Sequence, residues 1–138
     1  MTTIALVGCS ARKRKVLSQA EDLYIGTLFR LSRLWAERFA DRWLIISAKL
    51  GIVEPSQLVI PYKLNLKKLS KRERESWVLR TREELRKRVA PGDRFILLAA
   101  SEYGRCASDI DGCEVVEPMR GLRIGKRLAW LKLSLGGI

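Results

Sequence analysis

Along this chain, uninterrupted apolar runs alternate with stretches in which apolar residues recur at helical spacing. Thr3–Cys9 is an apolar run with β-branched residues, as expected of a strand buried on both faces. From Glu21 to Ala40 the period changes. Tyr24, Leu28, Leu31, Trp35 and Phe39 share one helical face, with Arg30, Arg33, Glu37 and Arg38 turned outward, so one helix is predicted there. Trp43–Ser47 predicts a second strand that ends in Ser47-Ala48-Lys49-Leu50-Gly51. Pro55 and Pro61 make Glu54–Leu66 an irregular crossing segment. Ser70 and Glu73 have the spacing of a capping box and predict a helix to about Val89, stopped by Pro91-Gly92-Asp93. Arg94–Ala100 is the third expected strand, followed by a short helix within Tyr103–Ile110. Glu114–Glu117 is a weaker fourth strand halted by Pro118, and Ile124–Leu135 is a last helix closed by Gly136-Gly137.

Strands that alternate with helices, and are apolar on both faces, predict a mostly parallel sheet of about four strands with helices on both faces. The expected fold is a single three-layer α/β domain spanning residues 1–138. Sheets of this class bind ligands beyond the carboxyl ends of their strands.

Composition narrows the chemistry. The chain contains no histidine, which removes His-based triads and His general bases and makes a catalytic metal improbable; no cofactor is expected. Cys9, Cys106 and Cys113 are too few and too scattered for a disulfide framework. No apolar run is long enough to span a bilayer, and the start lacks the basic flank of a signal peptide, so a cytoplasmic protein without a membrane partner is expected. The net charge of +12 favours a polyanionic or phosphorylated partner, a nucleotide or a nucleic acid. A heat-adapted surface would balance its signs through ion pairs, and these signs are unbalanced.

Each predicted strand ends in a chemically unusual loop, and a parallel sheet would bring the four together. The first loop carries Cys9 and Ser10, followed by the basic run Arg12-Lys13-Arg14-Lys15. The second carries Ser47, Lys49 and Gly51; Lys49 reads equally as a phosphate contact or a solvated loop residue. The third carries Ser101, Glu102, Tyr103 and Gly104. The fourth sets Arg120, Gly121, Arg123, Gly125, Lys126 and Arg127 around a helix start, where cations are unfavourable unless an anion lies among them. The competing reading there is a glycine-rich turn with solvated arginines. Neither Gly121-x-x-x-Gly125 nor Gly8-Cys9-Ser10 matches a nucleotide fingerprint. Cys9 invites a phosphatase-like nucleophile reading, but the spacing supplies Lys15 where an Arg is needed, so a small buried residue at a tight turn is preferred. Glu102 is the candidate acid, able to act as general base or to stabilise positive charge; its alternative is a helix-start residue answering the dipole. Lys63–Arg88 holds eleven Lys or Arg against four Glu, with Trp77 among them, either as a base-stacking side chain or as core; core is preferred.

Three segments resemble the YaaA-type peroxide-stress proteins and their shorter relatives. They are Leu23-Tyr24-Ile25-Gly26, the block Ser47–Pro55 with Ile60-Pro61-Tyr62-Lys63-Leu64, and Ala99–Tyr103; Pro118–Gly125 resembles the C-terminal loop of the short relatives. The resemblance implies an α/β core, DNA binding and a role in limiting oxidative damage in the longer members, with nucleotide or nucleic-acid chemistry in the shorter ones. It further implies a shared site lined by Tyr24, Gly26, Ser47, Gly51, Pro61, Tyr62, Ser101 and Tyr103. This chain is markedly shorter than the peroxide-stress members.

The leading expectation is an enzyme on nucleotides or nucleic-acid bases, acting at an N-glycosidic bond. Cys9, Ser10, Ser47 and Arg120–Gly125 would hold phosphate, Tyr62 or Tyr103 would meet sugar or base, and Glu102 would stabilise the developing cation. The alternatives are a non-catalytic DNA- or RNA-binding protein using the Lys63–Arg88 face, and a basic scaffold for an acidic protein.

Overall fold

The apolar run at the amino terminus forms β1 (Thr3–Gly8), and a computed structural model describes residues 1–137 around it. A short strand, β2 (Ser18–Gln19), leads into α1 (Ala20–Leu23) and α2 (Thr27–Phe39). There follow β3 (Arg42–Ser47), β4 (Gly51–Val53), β5 (Leu58–Val59), a 3-10 turn at Leu66–Lys68 and α3 (Lys71–Arg86). The chain ends with β6 (Arg94–Leu98), α4 (Ser101–Gly104), a 3-10 turn at Arg105–Ala107, β7 (Glu114–Val116) and α5 (Ile124–Ser134).

The main sheet has the order β4-β3-β1-β6-β7, with β1, β3, β6 and β7 parallel and β4 antiparallel to β3. The sheet is thus mixed and mostly parallel, with five strands where four were expected. The extra strand arises because Gly51 adopts φ of +76°, a left-handed conformation that glycine accepts without steric cost, and folds the chain back on β3. A side chain there would also collide with the Glu84 carboxylate, which accepts the Ile52 amide proton.

Alternation along the central strands supplies two core clusters. Ile4, Leu6, Leu44, Ile46, Phe95 and Leu97 pack with Trp77, Val78 and Leu85 of α3. Ala5, Val7, Ile45, Ile96 and Leu98 pack with Phe29 and Ala36 of α2 and Leu131 of α5. The continuous apolar runs follow from this, since both sides of each strand lose contact with water. Trp77 is core, as preferred from the sequence. Its indole N–H donates to the Ser47 carbonyl at 3.2 Å, which removes the cost of burying that polar group. The capping box of α3 is formed as expected: Ser70 Oγ accepts the Glu73 amide and Glu73 accepts the Ser70 amide.

One predicted helix is broken. Glu21–Ala40 is interrupted between Leu23 and Thr27 because the backbone there is claimed by the loop after β1. The Arg14 amide donates to the Leu23 carbonyl at 2.8 Å, and the Ile25 amide to the Arg12 carbonyl at 3.0 Å. Ladder bonds of this kind satisfy backbone groups as well as helical ones do, and they turn Tyr24 inward. Arg33 splints the break, donating to the Glu21 carbonyl and to Asp22. Glu54–Leu66 is irregular except for β5, which pairs antiparallel with β2. No helix among the described residues is long and apolar enough to cross a membrane.

Candidate functional site

Adjacent parallel strands β1 and β6 send their chains to opposite faces of the sheet. After β1 the chain reaches α2, in the cluster of Ala5 and Val7; after β6 it reaches Tyr103, Cys106 and Ala107, in or against the cluster of Ile4 and Leu6. A crevice must open where neighbouring strands diverge in this way. One of about 400 Å³ does so here. Its floor is Gly8, Cys9 and Ser10 from β1 with Ala99, Ala100 and Tyr103 from beyond β6. Its walls are the first turns of α2 (Thr27, Leu28, Phe29) and α5 (Ile124, Arg127, Leu128), and Arg12 stands at the edge.

The electrostatics of this crevice favour an anion. Neither α2 nor α5 has a side-chain cap or an acid in its first turn. Their unpaired amides and positive dipole ends therefore remain available. Among the described residues the lining carries Arg12 and Arg127 and no carboxylate. Ser32, one turn into α2, borders the crevice; it is 1 % exposed, and its buried hydroxyl has no hydrogen-bond partner. An unpaired buried hydroxyl costs on the order of 1–3 kcal/mol, a cost that a ligand oxygen would remove.

Gly26 is needed for close approach. A β-carbon there would lie 2.9 Å from that of Ser10, whose hydroxyl accepts the Gly26 amide at 3.3 Å and donates to the Arg12 carbonyl at 2.7 Å. The loop after β1 is thereby locked to the start of α2.

Beside Cys9 lies a buried chain of hydroxyls. Tyr62 Oη is 2.6 Å from Ser47 Oγ and 2.7 Å from Tyr24 Oη. Ser47 Oγ accepts the amide protons of Lys49 and Leu50, so its own proton goes to Tyr62. Tyr62 then donates to Tyr24, and the Tyr24 proton is the open end of the chain. Burial pushes the Tyr24 and Tyr62 phenols above their ordinary range, with nearby Cys9 adding to both rises. Burial does the same to Tyr103, and there too Cys9 adds to the rise. The Lys13 ammonium lies 4.4 Å over the Tyr62 ring; burial lowers its pKa, and Cys9 opposes that change.

Several expected site residues lie elsewhere. Glu102 is exposed, and its carboxylate is 3.7 Å from Arg105, which also pairs with Glu75; it does not line the crevice. The reason is local: Glu102 sits on the first turn of α4, which carries it away while Tyr103 turns inward. Ser101 is exposed and donates to Glu117. Arg120, Gly121, Arg123 and Gly125 are exposed and do not line the crevice: the first three precede α5, and the first turn of α5 presents Ile124 and Arg127 rather than Gly125. Lys49 is exposed, 5.8 Å over the Tyr62 ring, and Gly51 serves the β3–β4 turn. Ser47, Tyr24 and Tyr62 form the hydroxyl chain beneath the crevice and do not line it. Cys9, Ser10, Arg12, Gly26 and Tyr103 do line it. Arg127, one of the cations expected at the basic helix start, lines it too, whereas nothing in the local sequence marks Thr27 or Ser32. Among the described residues no group of three or more His, Cys, Asp or Glu is arranged to hold a metal.

Lys13 is also shared by two shallow concavities beside the crevice. One, of about 330 Å³, includes Lys63, Leu64 and Lys68; the other, of about 350 Å³, includes Arg14, Lys15, Pro61 and Tyr62.

These features define a basic α/β protein with a crevice between diverging parallel strands, bordered by two uncapped helix starts. The chain belongs to a family of unknown function, DUF6884, which it matches over residues 4–133. No curated protein and no solved structure matches it.

Proposed function

We propose that this protein binds the phosphate of a nucleotide, free or within a nucleic acid, in the crevice between β1 and β6, and acts on that ligand as an enzyme. The observation that carries the reading is the convergence of two uncapped helix starts, Arg12, Arg127 and the unpartnered Ser32 hydroxyl on one cavity of about 400 Å³. Such a cavity has one end suited to an anion and an apolar wall of Leu28, Phe29, Leu98 and Leu128 suited to the body of a nucleoside. The two core clusters support a three-layer arrangement, in which this is the place where ligands bind. Action at an N-glycosidic bond would need an acid other than Glu102, and Tyr103 is the polar side chain at hand. The resemblance to YaaA-type proteins draws support from the same geometry, since Tyr24, Gly26, Ser47, Tyr62 and Tyr103 gather around Cys9.

The test is thermal-shift titration with nucleoside monophosphates and inorganic phosphate. A ligand at about 100 times its dissociation constant adds roughly 2.7 kcal/mol of stability. Arg127→Ala should abolish most of the shift. Equal shifts in wild type and Arg127→Ala, or none in either, would refute the crevice as the phosphate site.

A second reading has its own observation. The Lys13 concavities place Arg14, Lys15, Lys63 and Lys68 along a continuous surface, as a nucleic-acid backbone requires. It predicts binding to single-stranded DNA or RNA that weakens steeply with salt. Salt-independent binding would count against it.

A further inference from the structure

Three cysteines occupy three different environments. Cys106 is fully buried, and burial pushes its thiol up to about 12. Cys113 is half-buried in a separate concavity beside Ala90 and Pro91; burial and Asp93 raise its pKa. Cys9 alone faces the crevice.

What surrounds Cys9 is unlike either of the others. Its amide is held by the Ile46 carbonyl at 3.0 Å, fixing the residue at the end of β1. The starts of α2 and α5, with Arg12 and Arg127, border the same cavity, and positive charges of this kind draw an anionic reagent toward the sulfur. The hydroxyl chain from Ser47 through Tyr62 ends at the Tyr24 O–H, and Tyr103 lines the same cavity as Cys9. Ser32, which borders the cavity, is 1 % exposed and its buried hydroxyl has no partner, which independently marks the cavity as a place for a ligand.

We infer that Cys9 is the nucleophile of the crevice, and that its reaction partner is an electrophile delivered by its own negative charge. The inference rests on the anion-binding reading of the crevice and adds a covalent chemistry to it. In the step, a sulfur lone pair forms a bond to the electrophilic centre while the leaving group departs with its bonding pair. The thiol proton is released to solvent. Helix ends and arginines hold the anionic group of the partner, and the sulfur waits at the cavity floor. The sequence around Cys9 lacks the phosphatase spacing, supplying Lys15 where an Arg is needed. The fold supplies a basic environment from α2 and α5 instead.

The probes are iodoacetate and iodoacetamide, which alkylate thiols with loss of iodide but differ in charge. Intact protein is treated with each, and labelling at Cys9, Cys106 and Cys113 is followed by peptide mass spectrometry. Iodoacetate should modify Cys9 faster than Cys113. The ratio of iodoacetate to iodoacetamide rates at Cys9 should exceed that at Cys113 by about tenfold, as expected for a steered anion. Inorganic phosphate should slow labelling at Cys9 alone, and Arg127→Ala should erase the preference for iodoacetate. A Cys9 that reacts no faster than Cys113, or that favours the neutral reagent, overturns the inference. Thermal shift of Cys9→Ser by phosphate tests the anion site without the thiol. A shift there with an unreactive wild-type Cys9 removes the nucleophile and leaves the phosphate site standing. Absence of the shift removes the phosphate site.

Discussion

The hydroxyl of Tyr62 lies 2.7 Å from that of Tyr24, across 38 residues of sequence, and Ser47 fixes the direction of the proton between them. Because two backbone amides already donate to Ser47, the chain runs one way, from Ser47 to Tyr62 to Tyr24. It ends beside Cys9.

Breaking this chain in the middle should cost more than breaking it at the end. Tyr62→Phe leaves Ser47 without an acceptor and Tyr24 without a donor, at a cost of about 1–3 kcal/mol in urea unfolding. Tyr24→Phe leaves one donor unpaired and should cost roughly 1 kcal/mol. The double variant should be less destabilised than the sum of the two. Strict additivity would show that the hydroxyls do not act as a unit.

The tyrosines also set an alkaline limit. Their folded pKa values are raised, chiefly by burial, so the folded state prefers neutral phenols. Stability from this source is fully present below the unfolded tyrosine value of about 10 and is lost as pH rises through the folded values, by up to about 1.4 kcal/mol per pH unit for each tyrosine. Absorbance at tyrosinate wavelengths should rise only together with loss of circular dichroism. Ionisation of a tyrosine in still-folded protein near its ordinary pKa would contradict this.

Ser32→Ala separates stability from binding. It removes a buried hydroxyl that has no partner, so unfolding free energy should stay level or rise by up to about 1 kcal/mol. Phosphate or nucleotide affinity should fall by about 0.5–1.5 kcal/mol, the net worth of one hydrogen bond. Loss of stability in the unliganded protein would mean that the hydroxyl is satisfied within the fold.

Gly26→Ala should disturb the site through Ser10. The added carbon meets Ser10 at 2.9 Å, which forces the loop after β1 to shift, at roughly 1–3 kcal/mol in thermal unfolding. Ligand affinity should drop as well, because Ser10 and Thr27 border the crevice. Ser70→Ala is the matched control: losing the α3 cap costs about 1 kcal/mol and should leave affinity unchanged.

Local pattern carried much of this protein. The runs at Thr3, Trp43 and Arg94 became parallel strands, the Ser70–Glu73 spacing became a capping box, and Pro91-Gly92 ended a helix, because strand burial, capping and chain reversal are decided by residues close in sequence. Even the meeting of the first and third loops followed from a parallel sheet. What the pattern did not contain was decided by contacts between distant segments. The loop after β1 bonds to Leu23 and Ile25 and so breaks a helix that periodicity alone would continue. Glu102 and Tyr103 are neighbours, yet the turn of α4 sends one to Arg105 and the other to Cys9. Arg127 and Ser32 reach the crevice only because α5 packs beside α2. Spacing along a chain reports which face a side chain takes on its own element. Only the packing of elements determines what that face meets, and around Cys9 it meets helix ends and arginines.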